Sequence, residues 1–183
     1  MPQDRYEINR EIHKREEDPT EDRVIDIYED EAVKIYYVKK SEKDPDRGYW
    51  LQKDALKAEL KGEGATVSHE PRLDPYVSVE DNILCMTSDG ECWVCDLKTG
   101  RENTIGMPIV AFYHRVSFDM EGRHRDVPNA FLVYGTGCFW GLEAYEQEFE
   151  IYVDKDTLEA KYQDVWDEEE GYEEYIEELD SEE

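Results

Sequence analysis

Two kinds of side chain in this sequence are spaced so that they could do chemistry: four thiols and a row of carboxylates. Cys92 and Cys95 form a Cys-x-x-Cys pair, with Cys85 and Cys138 elsewhere in the chain. That spacing serves a zinc knuckle or a redox couple, and zinc would need Cys85, Cys138 or a histidine to complete four ligands. The expected hairpin sets Cys92 and Cys95 on opposite faces of one strand, so they read as small apolar core groups, with no metal and no cofactor. The carboxylates lie in the stretch from Glu146 to Asp154. Glu146, Glu148, Glu150 and Asp154 share one parity, and Phe149, Ile151 and Val153 share the other. On a strand the apolar set packs inward while the carboxylates face out, successive ones about 6.7 Å apart. That is close to every second phosphate along one strand of DNA.

The end of the chain repeats the theme at helical spacing. Tyr172, Tyr175, Ile176 and Leu179 fall at i, i+3, i+4 and i+7 among Glu173, Glu174, Glu177 and Glu178. This reads as an amphipathic docking helix with an acidic back. Over the whole chain 48 acids face 21 Lys and Arg, a net charge of −27. The last 17 residues hold 11 acids and no Lys or Arg, which leaves 37 acids against 21 bases, or −16, for the other 166. Such a field repels nucleic acid and anionic membranes and attracts basic surfaces. With 13 Tyr, five Phe and four Trp the chain is too aromatic to be wholly disordered.

Gly137-Cys138-Phe139-Trp140-Gly141 resembles the active-site motif of the peptide methionine sulfoxide reductase A family, with Glu143 a looser match. The resemblance implies a nucleophilic Cys138 and a methyl pocket built by Phe139 and Trp140. It covers five residues, and the family's other signature stretches are absent. The same letters read as a buried Cys with two aromatics closing a core strand, in acidic surroundings that raise a thiol pKa. Arg123, His124 and Arg125, with Arg115 nearby in sequence, form the one compact basic cluster, read as neutralising part of the sheet's own acidic face.

The elements that must position these groups are mostly strands. Val24–Tyr28 and Val33–Val38 suggest a hairpin, and Ser41–Gly48 a loop turning at Asp44-Pro45-Asp46. Trp50–Lys61 reads as a helix with Gly62 as its C-cap. Asp89-Gly90 is a hairpin turn that pairs Ser88 with Glu91, Met86 with Trp93 and Leu84 with Cys95. Pro108–Met120 and Ala130–Tyr134 read as core strands. A return strand, Leu158–Trp166, sets Asp154 opposite Thr157 and Glu150 opposite Lys161.

The expected fold is α+β, mainly antiparallel β-sheet with one short helix and charged, partly helical termini. Residues 1–22 form a charged arm or frayed helix, with Ile8 and Ile12 as a thin helical stripe, 23–166 the domain and 167–183 the acidic tail. The expected function is an acidic, non-catalytic binding protein. It would mimic nucleic acid and inhibit a nucleic-acid-binding protein or nuclease, as phage, mobile-element or immunity proteins do. The alternatives are an acidic chaperone for a basic client and a thiol enzyme using Cys138. The partner-binding residues are Glu146, Glu148, Glu150, Tyr152 and Asp154, with the tail from Tyr172 to Leu179. The partner is a basic protein surface in a reducing cytoplasm, with no direct nucleic acid contact and no membrane.

Overall fold

In a computed structural model the described residues are 5–14, 21–72, 75–119, 122–124, 127–139 and 146–167. They form one short helix and a set of antiparallel strands. The helix α1 (Arg5–His13) precedes β1 (Arg23–Glu29) and β2 (Val33–Lys39). Next come the small hairpin β3 (Ser41–Lys43) and β4 (Trp50–Gln52), then β5 (Ala55–Leu60) and β6 (Ala65–His69). The remainder is β7 (Tyr76–Glu80), β8 (Ile83–Asp96), β9 (Glu102–Ser117), β10 (Ala130–Phe139), β11 (Gln147–Asp154) and β12 (Ala160–Asp167). Four strands make one sheet in the order β1-β2-β5-β6, and six make a meander in chain order from β7 to β12.

The helix expected over Trp50–Lys61 is corrected to β4 and β5. Leu56, Ala58 and Leu60 are all buried while Lys57 and Glu59 point the other way, a period of two. The helix-favouring Ala, Leu, Lys and Glu content of this stretch is overridden by pairing with β2 on one side and β6 on the other. Gly62 sits in the β5–β6 turn rather than at a helix end.

The one helix among the described residues lies within 1–22, where the Ile8 and Ile12 stripe allows a helix as well as an arm. Ile8 and Ile12 are buried in the core, and Asn9 takes over the free edge of β7. Its amide nitrogen donates to the Val77 carbonyl at 3.1 Å, and its amide oxygen accepts the Val77 N–H at 2.8 Å. A neighbouring strand would make the same two bonds, so α1 closes an edge that could otherwise recruit another chain. Asn9→Ala leaves a buried N–H and a buried C=O unpaired. It is expected to lower unfolding free energy by about 2 kcal/mol, read by urea titration.

β8 is the pivot of the fold, and it doubles back on itself. A straight strand would hold Cys85 and Cys92 about 23 Å apart, yet their sulfurs are 3.8 Å apart. The Leu97 N–H also donates to the Asn82 carbonyl at 2.8 Å. Both contacts fit the register of Ser88 with Glu91 about Asp89-Gly90, where Gly90 takes a φ of 72°. Leu84, Met86, Trp93 and Cys95 consequently share one face and one core, with the four-stranded sheet and α1. Cys85, Cys92 and Val94 occupy the opposite face and a second core.

That second core is enclosed because β9 turns a corner. Glu91 pairs with Gly106 and Asp89 with Val110, so three residues of β9, Pro108 among them, stand against Gly90 alone. Proline has no N–H to give a ladder, which suits it to such a bulge. Beyond the corner His114 reaches back to Ser78 and Thr87, 2.7 Å from each. The outer half of β9, with β10 and β11, thereby folds over β7 and β8, and Ile109, Phe131, Val133, Phe149, Ile151 and Val153 fill the space between.

The β11–β12 register differs from expectation. Glu150 pairs with Asp164, Ile151 with Gln163 and Tyr152 with Tyr162, before a bulge at Val153 and Ala160. The turn is longer than two residues: the Asp154 N–H donates to the Glu159 carbonyl, and the Leu158 N–H to the Asp154 carbonyl. Leu158 takes a φ of 62° and drops into the core instead of pairing with Val153.

Candidate functional site

The expected parity of β11 has one half that holds and one half that does not. Phe149, Ile151 and Val153 do face the core. The opposite face is not an open row of carboxylates. Glu150 is 7% exposed and Tyr152 5%, Glu148 and Asp154 are half-buried, and Glu146 is exposed. Side chains directly opposite one another in an antiparallel pair share a face. The rows here are therefore Trp166–Glu148–Thr136–Tyr113, Asp164–Glu150–Tyr134–Arg115 and Tyr162–Tyr152–Leu132–Ser117. This is an aromatic and polar face with carboxylates set into it.

Residues 122–124 lie over the middle of that face. The Glu150 carboxylate accepts the Arg123 N–H at 2.9 and 3.2 Å and the Tyr152 hydroxyl at 3.0 Å. The Tyr152 oxygen in turn accepts the His124 N–H at 2.9 Å. Burial pushes the Tyr152 phenol up from its ordinary value, and its hydrogen bond to Glu150 adds to this, so it remains a donor. A Cβ on Gly122 would meet a Glu150 carboxylate oxygen at 2.6 Å, so only glycine allows so close an approach.

The side chains of the loop finish the neutralisation. Arg123 lies 4.3 Å over the Trp166 ring and 3.7 Å from the Asp164 carboxylate. His124 sits 3.2 Å from Asp164, with its ring 4.0 Å from that of Tyr162. Of the basic cluster, Arg123 and His124 meet the sheet's own Asp164, while Arg115 is exposed on β9 without an ion pair to it. Arg125 lies outside the described residues. Asp154 serves the turn: its carboxyl is held below the usual range chiefly by the Thr157 and Asp156 N–H groups, with Lys161 3.4 Å away. Lys161, expected opposite Glu150, bonds the Pro128 carbonyl instead. Tyr172, Glu173, Glu174, Tyr175, Ile176, Glu177, Glu178 and Leu179 lie outside the described residues.

The thiols are interior groups. Cys92 and Cys95 face different cores, and among the described residues no three His, Cys, Asp or Glu side chains gather as a metal site. The Cys95 thiol is pushed up to about 12, first by burial and then by Glu102 and Asp96. Burial and the neighbouring Cys92 likewise raise Cys85. Cys138 is 4% exposed on β10, opposite Val110, and Trp140 and Gly141 lie outside the described residues. Cys85, Cys92 and Cys95 are expected to resist a disulfide reagent at pH 8 until the protein unfolds. Mass spectrometry of the labelled native protein checks this, and fast labelling of any of the three sinks it.

Two polar groupings carry no signal in the sequence. His114 is buried between the Ser78 and Thr87 hydroxyls, which satisfies both ring nitrogens. His69 stacks on Trp93 with centroids 5.1 Å apart and lies 3.0 Å from the Glu91 carboxylate. Both join residues from different strands, so no spacing along the chain announces them. No protein-family model and no curated protein sequence matches this chain. No described helix is long and apolar enough to cross a membrane.

Proposed function

We propose that this is an acidic, non-catalytic binding protein that presents carboxylates to a basic protein surface in place of nucleic-acid phosphates. It would thereby inhibit a nucleic-acid-binding protein or nuclease, in the manner of an anti-defence or immunity-type inhibitor in the cytoplasm. The observation that carries the reading is charge: −27 in all, of which −16 remains when the last 17 residues are set aside. Attraction of that size accelerates encounter with a basic groove and discriminates against acidic surfaces.

The residues assigned to binding are narrower than the full β11 row. Glu146 and Glu148 remain available, and Asp154 in part. Glu150 and Tyr152 hold the 122–124 loop and support the face from beneath. The tail from Tyr172 to Leu179 is assigned to docking as an amphipathic helix.

The test is capture of partners from the native host at low and raised salt, with duplex DNA as competitor. Binding is expected to fall steeply with salt and to be displaced by DNA. Capture that is indifferent to both removes the proposal. Repeating the capture without residues 167–183 separates the mimic, which keeps binding through the sheet, from a chaperone that works through its tail.

A further inference from the structure

Among the described residues, a group of unpaired carboxylates lies away from β11, at the end where alternate hairpin turns gather. The β1–β2 and β5–β6 turns of the smaller sheet meet the β7–β8 and β8–β9 turns of the larger there, around a cleft of about 660 Å³. That volume lies in the range of natural ligand sites, which are apolar with a few placed polar groups. Its floor is the end of the first core: Val33, Leu60 and Leu97 are buried and Val79 half-buried. Its rim carries Asp30, Glu63, Glu80 and Asp81 against one lining cation, Lys98.

These carboxylates differ in kind. Asp30 is committed to its turn, accepting the Ala32 and Val33 N–H groups and the Tyr28 hydroxyl. Lys61 is occupied by Glu29 and the Asp30 carbonyl. Glu63, Glu80 and Asp81 are exposed, and their side chains have no hydrogen-bond or ion-pair partner among the described residues. An adjoining groove of about 450 Å³ shares Tyr28 and Asp30 and adds Asp26 and Glu29, with Lys34 its one lining cation. Three free anions over an apolar floor, continued by an acidic groove, complement a cation carried on an apolar stem. An arginine or lysine side chain has that shape, with its methylenes on the floor and its charged head at the rim.

We propose that this cleft seats an arginine or lysine side chain projecting from a basic protein partner, with the neighbouring basic residues of that segment lying along the acidic groove. This rests on the acidic-binding reading and gives it a location. The contact is ionic at the rim and apolar at the floor, so charge alone does not reproduce it.

The test uses the full chain and an octa-arginine peptide, with affinity followed by calorimetry at several salt concentrations. The triple variant Glu63→Gln, Glu80→Gln, Asp81→Asn is expected to bind about tenfold more weakly than wild type. A control of equal charge change far from the cleft, Glu21→Gln, Asp46→Asn, Glu70→Gln, is expected to lose much less. Ala32→Trp, which obstructs the mouth from an exposed position, is expected to weaken binding with no change in charge, and a thermal melt verifies that each variant is folded. If wild type binds the peptide in a salt-dependent way and all the variants bind alike, the cleft is overturned while the acidic-binding reading stands. If wild type fails to bind even at low salt, both fall. Spermine binding as tightly as the peptide would assign the cleft to free amines and overturn the protein-partner reading.

Discussion

Replacing Gly135 by alanine is expected to destabilise the fold by about 3 kcal/mol, near the upper end for overpacking a core. Gly135 lies in β10 between His114 of β9 and Phe149 of β11. A Cβ there would run into the Tyr113 carbonyl, with the His114 Cα at 2.9 Å. These are backbone atoms of a paired strand, so no rotamer change can relieve the contact. Gly137 is confined in the same way, against the Val110 carbonyl and the Ala111 Cα at 3.0 Å. Between them the ladder slips at Phe112, and β9 bends close over β10. Gly106 is the control: nothing lies within 4 Å of an added Cβ, so its alanine variant is expected within about 0.5 kcal/mol of wild type. Urea titration of the three variants checks the ranking. A Gly135→Ala protein as stable as Gly106→Ala would show that β9 and β10 are not so closely apposed.

The same contact explains part of the Gly-Cys-Phe-Trp-Gly run. Its first glycine is required by strand packing, whatever the role of Cys138. Short motifs merge such demands, and a sequence cannot separate them until the neighbouring strand is known. Legibility elsewhere followed how local the deciding interaction was. The Asp89-Gly90 turn and the parity of Phe149, Ile151 and Val153 depend on adjacent residues, and both were readable. Ala55–Leu60 has alanines and leucines compatible with either period, and pairing with β2 and β6 decided it. The β11–β12 register failed because Asp154 caps a longer turn and Leu158 adopts a left-handed backbone. Pattern alone places Leu158 in the strand, opposite Val153. The acidic cleft was half legible. Its carboxylates sit in or beside turns, but only the meander order shows that alternate turns gather at one end.

Reversing charge along β11 gives the sharpest test of which carboxylates bind and which hold the sheet together. Glu150→Lys is expected to cost about 3–5 kcal/mol and to release the 122–124 loop, because it replaces a buried acceptor with a donor. The Arg123 N–H and the Tyr152 hydroxyl would then face an ammonium that can accept nothing from either. Glu146→Lys and Glu148→Lys remove no such bond, and both variants are expected to melt within a few degrees of wild type. Under the mimic reading these two lose partner binding while remaining folded. A combined reversal that includes Glu150 would confuse unfolding with lost recognition, so the three must be measured singly, by thermal melt and by partner affinity. If Glu150→Lys melts like wild type yet abolishes binding, Glu150 belongs to the docking face and the loop over it is dispensable. If it melts early while Glu146→Lys and Glu148→Lys bind normally, β11 is scaffold, and the acidic surface that partners read lies elsewhere.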